Sequence, residues 1–404
     1  MSDTLVLSNA NEVVTCASAD ERSVLAGSAV AIVAGRVDYV GRQSSVFERY
    51  PAAHHVDCTG QVLTPGFVDS HTHAVFGGWR AAEYELRSRG LDYMEIAKRG
   101  GGINASVADV RSRSEAELIQ LTLPRLQRAL EHGTTTIEIK SGYGLSLADE
   151  LKLLRVIKEV SVLTPLTVVP TFLGAHDVPP EYRNHRADYV RLLVEEMLPA
   201  VAEAELARFC DVFVEPGAFD VVEARAILDA AARHGLIAKL HADEFQNSGG
   251  AELAAELGAA SADHLGAISE RGIAAIAASA TVATLLPATL FFLGKTTYAP
   301  ARALIAAGAT VALATDFNPG TAPSTSMPLV LTMACSQMRM TPLEALYAAT
   351  AGGARALRLE DVGVLARGAR ADVVAWNVAS HVEIPYRFGA LPVVKVWKSG
   401  NPVV

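Results

Sequence analysis

Four short segments, far apart in the chain, end in residues that bind metals or move protons. Residues 69–73 read Asp-Ser-His-Thr-His, His241 is followed by Ala242-Asp243-Glu244, residues 263–264 read Asp-His and residues 315–316 read Thr-Asp. Side chains alternate along a strand, so Asp69, His71 and His73 are expected on one face, where two imidazoles can share an ion. His71, His73, His241 and Asp316 together offer three nitrogens and one oxygen. That set suits zinc or iron(II) and leaves a further position for water. An ion held there lowers the pKa of water towards neutrality, which makes the expected chemistry hydrolysis. Glu244, three residues past His241, is placed to take the water's proton and pass it to a leaving nitrogen. His264 could orient the water, stabilise an oxyanion or serve as a ligand itself. Asp316 counts among the catalytic residues as well as the ligands. A second ion would need a bridge, often a carbamylated lysine, and the fourth segment of the pattern supplies only Glu215. One ion is the expectation, with Glu215 as a bridge the rival. A single His-x-His pair, or one His at a strand end, is weak on its own, because such residues are usually ordinary satisfied polar groups. Four strand ends that agree are harder to explain in that way.

The elements that must hold these groups recur along the chain. Apolar runs ending in polar residues are read at 66–73, 134–140, 166–176, 211–215, 236–242, 260–265, 281–287 and 310–316. Helical stretches lie between them. Ser114-Glu115-Ala116-Glu117 is a capping-box pattern whose helix should stop at Gly133, Val222–His234 has helical spacing, and Thr341-Pro342-Leu343-Glu344 starts a helix with proline at its first position. Eight strands alternating with helices predict a (β/α)8 TIM-like barrel over 62–361, in which chemistry gathers at the C-terminal strand ends. A doubly wound open sheet is the weaker alternative, because no glycine-rich phosphate turn follows the first strand. Residues 1–61 and 362–404 read as short strands and turns. They are expected to meet as one small composite β-sandwich beside the barrel. The glycines at 100–102 and 142–144 would permit loops to move.

Composition agrees with a large folded core. Of 404 residues, 50% are apolar, 20% charged and 6% aromatic, outside the disordered regime. The formal net charge of −9 and the scattered basic residues speak against nucleic acid as a partner. Cys16, Cys58, Cys210 and Cys335 are widely spaced and form no CxxC, so neither a disulfide framework nor a zinc ribbon is expected. Residues 272–294 carry no charge, which raises a membrane-spanning segment as a question. Pro287 and several Ser and Thr residues within it favour a short helix followed by a buried strand. The N-terminus has Asp3 and no basic stretch ahead of an apolar one, so a signal peptide is not expected and the cytoplasm is.

The strings TPGFVDSHTH, HADEF, DHLG and ATDFNPG resemble the amidohydrolase superfamily, and AIVAGRVDYVG with GVLARGARADVVAWN resembles its small β-sandwich. Within that superfamily the chain is most similar to the imidazolonepropionase family, through HTHAVFGGWR, IEIKSGYGLS, TFLGAHDVP, LHADEF and TDFNPGTAPS. The likeness spans nearly the whole chain. It implies hydrolysis of the ring amide of 4-imidazolone-5-propanoate to N-formimidoyl-L-glutamate, a step of histidine degradation. It also implies one divalent or trivalent metal ion, zinc or iron, on His71, His73, His241 and Asp316. Arg80 would hold the substrate carboxylate, with Tyr143, His176, Glu244, Asn318, Gly320 and Thr321 as further substrate contacts. A homodimer acting on this small molecule is the expected assembly. Two rivals share the fold: a guanine- or cytosine-type deaminase, whose neutral base has no use for a carboxylate clamp at Arg80, and a non-catalytic scaffold, which would usually lack the metal ligands.

Overall fold

The computed structural model describes residues 4–91, 95, 101–390 and 392–404. Eight parallel strands stand side by side in chain order: β1 (Phe67–Asp69), β2 (Thr134–Lys140), β3 (Thr167–Ala175), β4 (Phe209–Val214), β5 (Ile237–Ala242), β6 (Ser261–His264), β7 (Val282–Leu285) and β8 (Val311–Leu313). Sequential parallel neighbours joined through helices make the (β/α)8 architecture.

The seam between β1 and β8 is closed just beyond the two strands. Thr72 forms a parallel bridge to Phe317. The His73 amide donates to Phe317 O at 2.8 Å, and the Asp316 amide donates to His71 O at 3.0 Å. Thr315 donates to Asp69 from its amide at 3.0 Å and its hydroxyl at 2.6 Å. The apolar runs suggested strands continuing to His73 and to Asp316; the regular strands stop at Asp69 and Leu313. Asp316 turns into the left-handed region at φ 53°, which ends the extended run and which a short polar side chain tolerates. His71, His73 and Asp316 therefore sit on the closing seam, not within the strands.

Local chemistry sets the helices. Ser114 and Glu117 form a reciprocal capping box at the start of Glu115–Glu131. Asp220 with Glu223 and Thr341 with Glu344 do the same for Val221–Arg233 and Pro342–Tyr347. Each N-cap contributes about 1 kcal/mol. The uncharged run at 272–294 resolves into the end of the helix Glu270–Ala277, then β7 and the helix Pro287–Phe292. No helix among the described residues is long and apolar enough to cross a membrane.

The chain ends build two further sheets. One has four strands, Thr4–Ser8, Ser28–Val33, Arg36–Arg42 and His54–Asp57. The other has six: Glu12–Val14, Val24–Ala26, Val62–Pro65, Val373–Trp376, Val393–Lys398 and Asn401–Pro402. Val373–Trp376 lies antiparallel to Val62–Pro65, which brings the two ends of the chain together. Leu7, Val30 and Ile32 share one buried apolar cluster with Leu63, Val373 and Trp397. The buried Trp376 donates its indole N–H to the Thr64 hydroxyl at 2.8 Å and packs on Phe67 of β1, fastening this sheet to the barrel.

Of the glycines expected to free a loop, Gly100 lies outside the described residues. The segment at 142–144 is tied down: the amides of Gly142, Gly144 and Leu145 donate to the buried Glu150 carboxylate at 2.8 to 3.2 Å.

Candidate active site

Below the histidines the barrel interior is charged. Glu138 and Lys140 on β2, Asp211 on β4, Lys239 on β5 and Asp263 on β6 are all fully buried. Lys140 Nζ lies 2.7 Å from Asp211 Oδ2 and 2.9 Å from Glu138 Oε2. Lys239 Nζ lies 2.9 Å from Glu138 Oε1 and donates to Ser70 O at 2.8 Å. Leaving one such charge unpaired in a dry core costs about 3–5 kcal/mol, so the five groups hold one another in place.

The seam and strand ends deliver their polar groups to one point above this layer. His71 Nδ1 donates to Asp263 Oδ2 at 2.7 Å, and His241 Nδ1 lies 3.0 Å from Asp211 Oδ2. His71 Nε2 and His73 Nε2 each lie 3.5 Å from Asp316 Oδ1. The Thr289 hydroxyl donates to the other Asp316 oxygen. His71 Nε2, His73 Nδ1, His264 Nε2 and both ring nitrogens of His241 are buried with no hydrogen-bond partner among the described residues. Five unpartnered ring nitrogens in one place would be costly unless something else satisfies them. Burial, and then the neighbouring charges, hold His71, His73 and His264 well below the usual imidazole range, which keeps their lone pairs available. His176 is pulled down to about 3, chiefly by burial. Two ligands about 2.1 Å from a tetrahedral ion stand about 3.4 Å apart, close to the spacing found here. The residues thus fit a metal ion. Three overlapping sets bring their donor atoms within 4.8 Å: His71, His241 and His264; His73, His176 and His241; and His71, His73 and Asp316. Glu215 belongs to none of the three; its carboxylate accepts from the amides of Glu244 at 3.1 Å and Gln246 at 2.8 Å.

Glu244 hangs on the loop after β5. Besides Glu215, Asp243 fixes this loop by accepting from the amides of Ser248 at 2.7 Å and Ala251 at 3.1 Å. Burial, followed by the charges of Asp316 and Glu215, raises the Glu244 carboxyl well above its usual range. Its Oε1 lies 3.5 Å from His264 Nδ1. A carboxyl so raised holds a proton more readily than an ordinary one, which suits a group that must both take up and release one.

A cavity of about 730 Å³ opens over this floor, a size that suits a small molecule. His73, His176, His241, His264, Glu244 and Asp316 line its base, while Arg80, Arg87, Tyr143, Lys295, Asn318 and Thr321 line its sides. His176 stacks on His73 with ring centroids 5.0 Å apart, and Tyr143 lies 5.5 Å from His176. Arg80 caps the helix Ala81–Ser88 and makes a two-pronged pair with Glu83 at 3.0 and 3.1 Å. Its guanidinium lies on Gly320, where an added Cβ would come within 2.4 Å of Arg80 Cζ. Arg87, two helical turns further on, donates to Gly320 O at 3.2 Å. Asn318 spends its amide on its own loop. Its Nδ2 donates to Asp316 O at 2.7 Å, and its Oδ1 accepts from the amides of Gly320 at 2.9 Å and Thr321 at 2.7 Å. Asn318 therefore shapes the loop from Asp316 to Thr321.

Of the residues singled out from the sequence, His73, His176, His241, His264, Glu244, Asp316, Glu215, Arg80, Tyr143, Asn318 and Thr321 line this cavity, His71 lies buried beside the cluster, and Gly320 packs behind the Arg80 guanidinium. Reasoning from strand ends missed the roles of Glu138, Lys140, Asp211 and Lys239, although charged residues inside otherwise apolar buried strands are a usable signal. It also missed Arg87, seven residues from Arg80 and so on the same helical face, and Thr289, for which the sequence carries no pattern.

Comparisons with known proteins agree on the kind of barrel this is. Residues 62–403 match the amidohydrolase family. The imidazolonepropionase of Symbiobacterium thermophilum is 50% identical, the alignment covering 99% of this chain and 97% of that protein. Those of Myxococcus xanthus and Bacillus velezensis are 46% and 43% identical, with 99% of this chain covered in each and 97% and 96% of those proteins. Among solved structures, an adenosine deaminase from Xanthomonas campestris with bound zinc superposes with a TM-score of 0.73 at 20% identity, covering 98% of this chain and 92% of that one. A guanine deaminase from C. acetobutylicum gives 0.71 at 15%, covering 99% and 100%. At such identities the structural likenesses speak for the fold alone, whereas the sequence relatives fix the family: the chain belongs to the amidohydrolases and, within them, to the imidazolonepropionases.

Proposed function

We infer that this chain hydrolyses the ring amide of 4-imidazolone-5-propanoate to N-formimidoyl-L-glutamate in histidine degradation. The observation that carries the reading is the meeting of neutral, unpartnered imidazoles with Asp316 and a raised Glu244 carboxyl at the base of one cavity whose sides are cationic. His71, His73, His241 and Asp316 are the proposed holders of one zinc or iron ion, with His264 in reserve. When bound, such an ion polarises a carbonyl and acidifies water. Glu244 accepts the proton of the attacking water and delivers it to the ring nitrogen as the C–N bond breaks, so the proton lost by the nucleophile leaves with the amine. His264, whose Nδ1 lies 3.5 Å from Glu244 Oε1, is the proposed group that helps polarise the carbonyl as charge builds on its oxygen.

Arg80 is the proposed clamp for the propionate, supported by its fixed orientation against Glu83 and Gly320. Tyr143 and His176, whose ring centroids lie 5.5 Å apart in the cavity lining, are proposed as further substrate contacts, and Thr321 ends the loop that Asn318 shapes. The chain ends, 1–61 and 362–404, are read as one supporting β unit beside a catalytic barrel of 62–361, the first strand of that span, Val62–Pro65, pairing into the sheet of the β unit. A homodimer acting in the cytoplasm completes the proposal, as the family resemblance implies; a monomeric mass by light scattering would contradict the dimer.

The test is direct. Purified protein is given freshly prepared imidazolone propionate, guanine and cytosine in parallel, and loss of each is followed by absorbance. Consumption of the imidazolone alone is expected; consumption of a base without it would overturn the reading.

A further inference from the structure

The charged layer beneath the histidines holds a group that the mechanism above does not use. Asp211 Oδ2 is shared: it lies 2.7 Å from Lys140 Nζ and 3.0 Å from His241 Nδ1. Asp263 Oδ2 is shared too, accepting from His71 Nδ1 at 2.7 Å and lying 3.7 Å from Lys140 Nζ. Glu138 completes the layer at 2.9 Å from the same ammonium. Three carboxylates packed in a dry core repel one another strongly. Lys140 lies within 4 Å of all three, Lys239 of two of them.

We propose that Lys140 is a positioning residue: by holding Asp211 and Asp263 against the Nδ1 atoms of His241 and His71, it makes both rings offer Nε2 to a divalent cation. The argument is one of tautomers and orientation. A neutral imidazole has one N–H and one lone pair, and a carboxylate facing Nδ1 takes the N–H, which leaves the lone pair on Nε2. Both Nε2 atoms are buried and unpartnered, while His241 Nδ1 faces Asp211 Oδ2 at 3.0 Å without a well-aligned hydrogen bond. The His241 amide also donates to Asp211 Oδ1 at 3.0 Å, so one aspartate fixes both the backbone and the ring of that residue. Thr171 donates its hydroxyl to Glu138 Oε1 at 2.5 Å, which fixes the layer from the β3 side. Without the ammonium, Asp211 and Asp263 lose the cation between them and turn apart, and the two rings lose their common aim.

The inference rests on the ligand set proposed above, and the experiment separates the two. Full-length apoprotein is titrated with Zn2+ in competition with a chromophoric chelator, and the visible spectrum of the Co2+-loaded protein is recorded. Wild type, Lys140→Met and Asp211→Asn are compared, each with circular dichroism as the check on folding. Weakening of Zn2+ affinity by about 10- to 100-fold is expected in both variants, the scale for loss of an outer-shell partner. A shifted Co2+ absorption should accompany it. If Lys140→Met does not fold, Asp211→Asn, which keeps the side-chain shape, decides the matter. Folded variants with wild-type Zn2+ affinity and an unchanged Co2+ spectrum would overturn the positioning role. A wild type that binds no Zn2+ would overturn the ligand set itself, and the positioning role with it.

Discussion

The base and the sides of the cavity are built on opposite plans. At the base, His241 and His264 ride on barrel strands and His71, His73 and Asp316 on the β1–β8 seam; all five are buried, and His71 and His241 are held from below by the buried carboxylates of Asp263 and Asp211. On the sides, Arg80 and Arg87 come from a helix that buries none of its residues, and the loop from Asp316 to Thr321 is shaped by Asn318. Chemistry that depends on sub-ångström placement is located where strands and buried charges fix it. In the proposed reading, recognition of a small molecule's tail falls to elements that can change without disturbing the barrel.

Substitutions at the base should therefore abolish function, and those on the sides should tune it. His241→Ala removes an unpartnered donor from the heart of the cluster. Metal content per chain, read by atomic emission, should fall from stoichiometric to near zero and turnover to background; retained metal would show that the other donors suffice. Glu244→Gln comes next. It should keep the metal while kcat drops about a hundredfold or more, the usual scale for a lost acid–base group, and a near-normal kcat would remove Glu244 from the proton path.

The sides are expected to act through KM. Arg80→Ala deletes a charge-assisted contact of about 1.5–3 kcal/mol, so KM for the imidazolone should rise about 10- to 100-fold with kcat less affected. An unchanged KM would dismiss the clamp. Gly320→Ala should have the smallest effect of the four. Its Cβ would meet the Arg80 guanidinium, the movable end of a long side chain, and should displace it. A KM increase of about tenfold or less is expected, since a shift of about 1.4 kcal/mol is tenfold. If Gly320→Ala hurt kcat more than Glu244→Gln did, the division between base and sides would fail.

The same division explains what could be read from the sequence. The barrel was legible because buried parallel strands appear as short apolar runs, and the metal-binding candidates because each run ended in His or Asp. The seam was not legible. It depends on Asp316 entering the left-handed region and on Thr315 reaching Asp69, a pairing across 246 residues that no local pattern records. Asp211, Lys140 and Lys239 stood in plain view inside apolar strands. Their partners, however, lie on other strands, so their charge balance emerges only when the barrel closes. Asn318 could be placed near the site from its motif, but the sequence does not reveal that its amide is consumed by its own loop.

The central claim is that one ion sits where the seam and β5 converge. Anomalous scattering from crystals grown with zinc tests it most directly. The account predicts a single peak about 2.0–2.2 Å from Nε2 of His71, His73 and His241 and from a carboxylate oxygen of Asp316. A peak bound elsewhere, or a pair of ions bridged by Glu215, would contradict it.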